Sequence, residues 1–400
     1  MQQTGVFVRS LLPVLGLATF LNACSSSGQS PATAPAGVIP SVRAQRSQGA
    51  AQSRAIGFAY VVNFSGNNLS AYAIGHGGGL TPLAGSPFAT GQFPVGVAID
   101  PRGRFAYVTN AGFQSNSVSA YTINATTGAL TPVAGSTFAA GGTPYFVAVD
   151  PSGKFAYVAN ASSANVSAYT IDATSGALTP VPGSPFGAGS GPHYVAIDPR
   201  GKFAYVPNAS SGNVSAYKID PTNGALTPLK RSPFGAGSYP QGIAIVPSGK
   251  FAYVADEDGN TITGYAIAAN GTLSPVAGSP FSVSDSPLDV TVDSTGKFAY
   301  VAGGNSSVWA YAIDATSGAL KQVAGSPFGT GALPEGVSVD PNDKFVFVAN
   351  DESNNVSAYT LDVTSGALTP IAGSPFGGGD NPYGLATCRR ERGVCKPPPL

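Results

Sequence analysis

The sequence predicts an all-β fold, a seven-bladed β-propeller with four antiparallel strands in each blade. Three observations predict it. Phe-Ala-Tyr-Val begins at residues 58, 105, 155, 203, 251 and 298 and recurs as Phe345-Val346-Phe347-Val348, a period of 47 to 50 residues. A period in the forties that contains several short strands is the spacing of propeller blades. The composition is poor in helix formers, with 52 Gly, 34 Pro, 17 Tyr, 21 Phe and glutamate only at Glu257, Glu335, Glu352 and Glu391. Charged residues make up 10% of the chain, against about 25% in an ordinary soluble domain. Finally, turn residues separate the apolar runs at fixed offsets in every period.

The elements follow in chain order. Arg9 closes a weakly basic leader, and Ser10 to Phe20 form an apolar stretch too short to span a bilayer but suited to export. Leu21-Asn22-Ala23-Cys24 resembles a bacterial lipobox, which implies cleavage before Cys24 and lipidation of its sulfur. Residues 24–53 are rich in Ser, Ala, Pro, Gly and Gln without apolar periodicity, as expected of a flexible tether. The expected organisation is thus a signal peptide over 1–23, a tether over 24–53, a propeller over 54–388 and an irregular tail over 389–400. The expected address is the bacterial cell envelope, lipid-anchored on the periplasmic or outer surface.

The third repeat shows how a blade is written. Phe146 to Val149 is the first strand, and Asp150-Pro151-Ser152-Gly153 is a turn in which Pro presets φ and Gly tolerates φ > 0. Phe155 to Ala159 and Val166 to Ile171 are the second and third strands, parted by the polar run Asn160 to Asn165. The fourth, Ala177 to Val181, carries a proline, which suits an outer edge where a missing N–H breaks no ladder. Gly183-Ser184-Pro185-Phe186 then returns the chain to the centre. Phe155 and Tyr157 should face one neighbouring blade while Ala156 and Val158 face the other, interleaving large and small side chains. The first repeat lacks a first strand, whereas Gly384 to Thr387 supplies a spare one after the last repeat. Pairing that segment with Phe58 to Val62 closes a ring of seven.

The segment Phe105-Ala106-Tyr107-Val108-Thr109-Asn110 and its copies resemble the YVTN-type seven-bladed propellers. More loosely the chain is similar to the β-propeller lactonases of the 6-phosphogluconolactonase kind. The resemblance covers Gly57 to Thr387 and speaks to architecture, since a propeller hosts many unrelated activities.

Function is sought where the copies differ. A proline precedes every first strand, and the residue after it varies: Val95, Tyr145, His193, Gln241, Leu288, Glu335 and Tyr383. The next is Gly96, Phe146, Tyr194, Gly242, Asp289, Gly336 or Gly384. These side chains should ring one mouth of the central channel, with His193, Gln241, Asp289 and Glu335 converging on one cavity walled by Tyr145, Tyr194 and Tyr383. His193 and Glu335, three blades apart, could act as base and acid or grip a polar ligand. The lactonase resemblance implies a catalytic Pro-His, matched by Pro192-His193, and a glutamate after a later second strand, matched by Glu257. It also implies an Arg-His pair where Gln241-Gly242 stands and an aspartate where Asn208 stands. Losing the arginine removes a cationic stabiliser of the anionic intermediate.

Other chemistry is thin. Asp256, Asp258 and Asn260 start like a calcium loop, but Thr261 and Ile267 replace its required glycine and glutamate, so no metal and no cofactor is expected. Twenty basic and twenty acidic residues balance, which argues against nucleic acid as a partner. Cys388 and Cys395 could form a disulfide in an exported chain. The expected function is a monomeric, lipid-anchored propeller that binds a protein, a glycan or a sugar-like ligand at the ring mouth. The alternative is hydrolysis of a sugar lactone by His193 and Glu257.

Overall fold

The computed structural model describes residues 55–391 and 394–398. The expected leader, Cys24 and the tether lie outside the described residues. Seven antiparallel sheets follow one another, each with an inner strand, a second strand bearing Phe-Ala-Tyr-Val or, in the seventh, Phe-Val-Phe-Val, a third strand and a short outer strand. Their inner strands adjoin in sequence around a central channel, from the second blade, which begins at Pro94, to the seventh, which begins at Pro334. The first blade takes its inner strand from the C-terminus. Pro382–Glu391 pairs with Gly57–Asn63, with Ala386 opposite Tyr60 and Thr387 opposite Ala59, so the ring closes as the sequence predicts.

The repeated residues account for the blade. The Asp150 carboxylate accepts the N–H groups of Lys154 and Phe155, which pins the turn between the first two strands. Ser184 Oγ accepts the N–H of Ala168 at 2.9 Å, holding the return segment against the third strand, where Phe186 pairs with Val166. Tyr157 lies in the same apolar cluster as Val206 of the next blade, whereas Val158 packs with Tyr107 of the preceding one. Tyrosine hydroxyls clamp the blades together: Tyr157 donates to the Gly224 carbonyl at 2.9 Å, and Tyr169 to the Ala139 carbonyl at 2.6 Å. Gly224, at φ 78°, is required there twice over, because a Cβ would also fall 2.4 Å from Phe155 Cδ1.

One expectation needs correction. The segment after Thr387 does not become irregular. The closing strand runs on to Glu391 and folds back, pairing with Val394–Lys396, and Cys388 and Cys395 are joined by a disulfide. The first blade has no turn between its first two strands, since its second strand begins near the described N-terminus. The hairpin packs where those turns cluster, with Cys395 against Gly103 of the second blade.

Candidate active site at the channel mouth

Where each inner strand starts, the ladder is irregular, and this exposes the variable residues. In the third blade Pro144 pairs with Asn160 but Phe146 pairs with Ala159, so a bulge falls at Tyr145; the second, fifth, sixth and seventh blades shift register at the same place. Bulges re-aim side chains out of a ladder. The preceding residue is often left-handed, as at Phe93, Thr143, Tyr239, Leu333 and Asn381, with φ of 51° to 56°. The fourth blade departs furthest. Pro207 has its carbonyl turned to the inner strand, where it accepts the His193 N–H at 3.1 Å, but it offers no N–H in return. The inner strand shrinks to Ala196–Ile197, leaving His193 on a segment tied by the Pro192–Asn208 bridge.

His193 is almost wholly buried. Its ring stacks on Tyr145 with centroids 4.2 Å apart and meets Tyr239 edge-on at 5.6 Å. Nδ1 lies 2.9 Å from Gln241 Oε1, and Gln241 Nε2 donates to the Glu257 carboxylate. A carboxylate only accepts, so it fixes the amide orientation; the amide oxygen then requires the proton on His193 Nδ1. Nε2 keeps its lone pair. Burial pushes the imidazole pKa down to about 4, with the Gln241 bond opposing the shift, so the ring is neutral at physiological pH.

Across the mouth, the Tyr145 and Tyr383 hydroxyls bond to each other, and Tyr383 also bonds to Glu335. Burial drives both phenols upward. With Tyr194, Gln241, Val95 and Leu288 they enclose a pocket of about 10 Å³, room for roughly one water. Beneath it Phe146 and Tyr194 stack at 3.9 Å and part the mouth from a channel cavity of about 710 Å³.

Asp289 corrects the expectation of a single cavity. It lines the channel below the aromatic layer, accepting the N–H groups of Val290 and Val337 and the Tyr194 hydroxyl, and burial raises its pKa to about 7. His193 likewise sits behind Tyr145 and is not part of the mouth pocket's lining. His193, Gln241 and Glu257 form one hydrogen-bonded chain, while Tyr145, Glu335 and Tyr383 form another. Tyr239 was missed by the sequence reading, though its place directly before Pro240 marks it as a rim residue. Asn208 belongs to the framework, bonding Asn213, Ser215 and the Gly189 N–H as Asn160 does in its own blade. His76 is exposed. Among the described residues no group of three or more His, Cys, Asp or Glu could hold a metal, and Asp256 is engaged by Thr261, Thr263 and the Gly237 N–H.

Comparison with known proteins shows the family of this fold. The family described as "Lactonase, 7-bladed beta-propeller" matches residues 50–189 and 185–379. No curated protein matches. A candidate 6-phosphogluconolactonase from Bacteroides fragilis is 24% identical, with a TM-score of 0.70 over 83% of this chain and 97% of its own. A periplasmic gluconolactonase from Pseudomonas aeruginosa is 20% identical, with a TM-score of 0.70 over 85% of this chain and 99% of its own. At these identities the structural likeness speaks for the fold alone.

Proposed function

This chain belongs to the seven-bladed β-propeller lactonase family, and we propose that it opens a sugar-derived lactone at the channel mouth, with His193 as general base. The observation that carries the reading is the His193–Gln241–Glu257 chain at the rim. Family membership favours catalysis over the purely binding role that the sequence put first.

In this reading His193 Nε2 takes a proton from water as the water oxygen attacks the lactone carbonyl. The tetrahedral oxyanion collapses, the ring C–O bond breaks, and the imidazolium returns its proton to the departing alkoxide. The product is a hydroxy acid. Gln241 holds the imidazole in the Nδ1–H tautomer, and the Glu257 charge, relayed through the amide, offsets the positive charge that develops on the ring. Among the described residues lining the mouth there is no arginine, so the oxyanion must rely on neutral donors such as tyrosine hydroxyls, and a modest rate follows. The mouth holds roughly one water, so bringing a sugar ring to His193 requires Tyr145 to leave both Tyr383 and the His193 ring, at a cost of about 1 kcal/mol for the hydroxyl bond and about 1 kcal/mol more for the ring stack.

A pH-stat assay with glucono-δ-lactone tests the proposal. Opening should exceed the buffer rate and fall below about pH 4, as His193 protonates. It should collapse in His193→Ala and drop in Glu257→Gln. Turnover that survives His193→Ala unchanged would sink the assignment.

A further inference from the structure

We propose that the channel beneath the aromatic layer is a second binding site, for an organic anion with an apolar body, whose head is held by Arg389 and Lys396 of the C-terminal hairpin. The cavity, about 710 Å³, is of the size that takes small organic molecules. Small side chains line it, among them Ala98, Ala196, Ala244, Thr291 and Ala386 on the inner strands of successive blades, while the larger Val97, Val147 and Val195 pack behind them into the blade interfaces. Phe146 and Tyr194 cap the end toward the mouth, so the site is separate from the one assigned to lactone opening.

The opposite end is cationic. Arg389 and Lys396 are direct cross-strand partners and both line the cavity, so two like charges stand side by side on one face of the hairpin. Such a pair repels unless an anion lies between. Glu391, 2.5 Å from Arg389, offsets part of that charge. It leaves the buried Arg389 Nε with no hydrogen-bond partner. A carboxylate or sulfonate at this end would accept from the partly exposed Nη groups of Arg389 and from the Lys396 ammonium together. The other acids near this end are already engaged: Asp100 caps its turn by accepting the Arg104 and Phe105 N–H groups, Asp150, Asp198, Asp293 and Asp340 do the same, and Asp343 accepts from Ser294 of the neighbouring blade. Asp289, at the aromatic end, orients an anion with its head toward the hairpin.

Titration of the disulfide-intact protein with 8-anilinonaphthalene-1-sulfonate tests this. The dye should bind saturably with blue-shifted emission and be displaced by decanoate but not by decyltrimethylammonium. Arg389→Gln and Lys396→Gln should each weaken it about tenfold, as loss of a charge-assisted bond does. Ala244→Phe or Ala98→Phe, each placed in the channel wall, should abolish it at an unchanged melting temperature. Lactone opening by Lys396→Gln should match wild type, and dye affinity should survive His193→Ala, which keeps the two sites' tests apart. Absent binding, equal displacement by the cationic detergent, or affinity indifferent to both filler substitutions would overturn the proposal.

Discussion

Asp256 stands where five of the other six blades place an asparagine, the sixth having Gly303, and Asp256→Asn should stabilise the protein in a pH-dependent way. In the third blade Asn160 donates to Asn165 and Ser167 and accepts the Gly141 N–H. In the fifth, Asp256 accepts from Thr261, Thr263 and the Gly237 N–H in a fully buried position. Burial outweighs those bonds and raises its pKa from 3.8 to about 6. A native pKa above the unfolded one means that the folded state binds more protons between the two values. The carboxyl therefore costs nothing below about pH 4, and stability is lost as pH rises through about 6. Roughly two units correspond to about 3 kcal/mol at neutral pH. An asparagine carries no charge, keeps the Gly237 bond and can donate to Thr263, so it should recover about 1 to 3 kcal/mol at pH 8 and close to nothing at pH 4. Urea unfolding of both proteins across that range measures the difference. A gain that is equal at pH 4 and pH 8, or a loss at pH 8, would refute the reasoning.

Three further outcomes are expected. Tyr157→Phe, which loses the bond to Gly224, should cost about 1 kcal/mol and Tyr157→Ala about 3 to 5 kcal/mol by calorimetry; lactone opening by Tyr157→Phe should stay near wild type, since Tyr157 lies in the blade interface. Truncation after Phe376 strips the first blade of its inner strand and should lower the melting temperature far more than truncation after Thr387, which removes the disulfide hairpin but keeps most of the closing strand; equal melts would contradict the closure. Cys24→Ala should release the mature protein from the detergent phase in phase partitioning, and an unchanged distribution would count against lipidation at that residue.

The fold was legible because each blade repeats the same residues for the same reasons. Phe155 and Tyr157 alternate with Ala156 and Val158 in the sequence, and that alternation sorts them onto opposite blade faces. The spare strand after the last repeat was visible as a missing strand in the first. The hairpin was not legible, because Arg389-Arg390-Glu391 has no counterpart upstream and its pairing depends on where the ring leaves a turn vacant. The candidate site was legible in part. Variation after each proline pointed to His193, Gln241 and Glu335, and the family resemblance pointed to Glu257. That Gln241 links His193 to Glu257 could not be read, since 48 residues separate the first pair and only the adjacency of the fourth and fifth blades brings them together.

The sequence by itself determined the number of blades, the strand order, the interleaved faces and the rim positions, because a periodic chain writes each of these locally and then repeats it. The tertiary structure alone decided which rim residues touch. Closing the ring sets Tyr145 against Tyr383 across Val95, and Tyr194 against Asp289 past Gln241. Those contacts fill the mouth with tyrosine and bury His193 to a pKa of about 4. They part a polar mouth from a wider channel that ends in two cations. Contacts across a channel depend on the radius and curvature of the closed ring, and no segment of a single repeat carries that information.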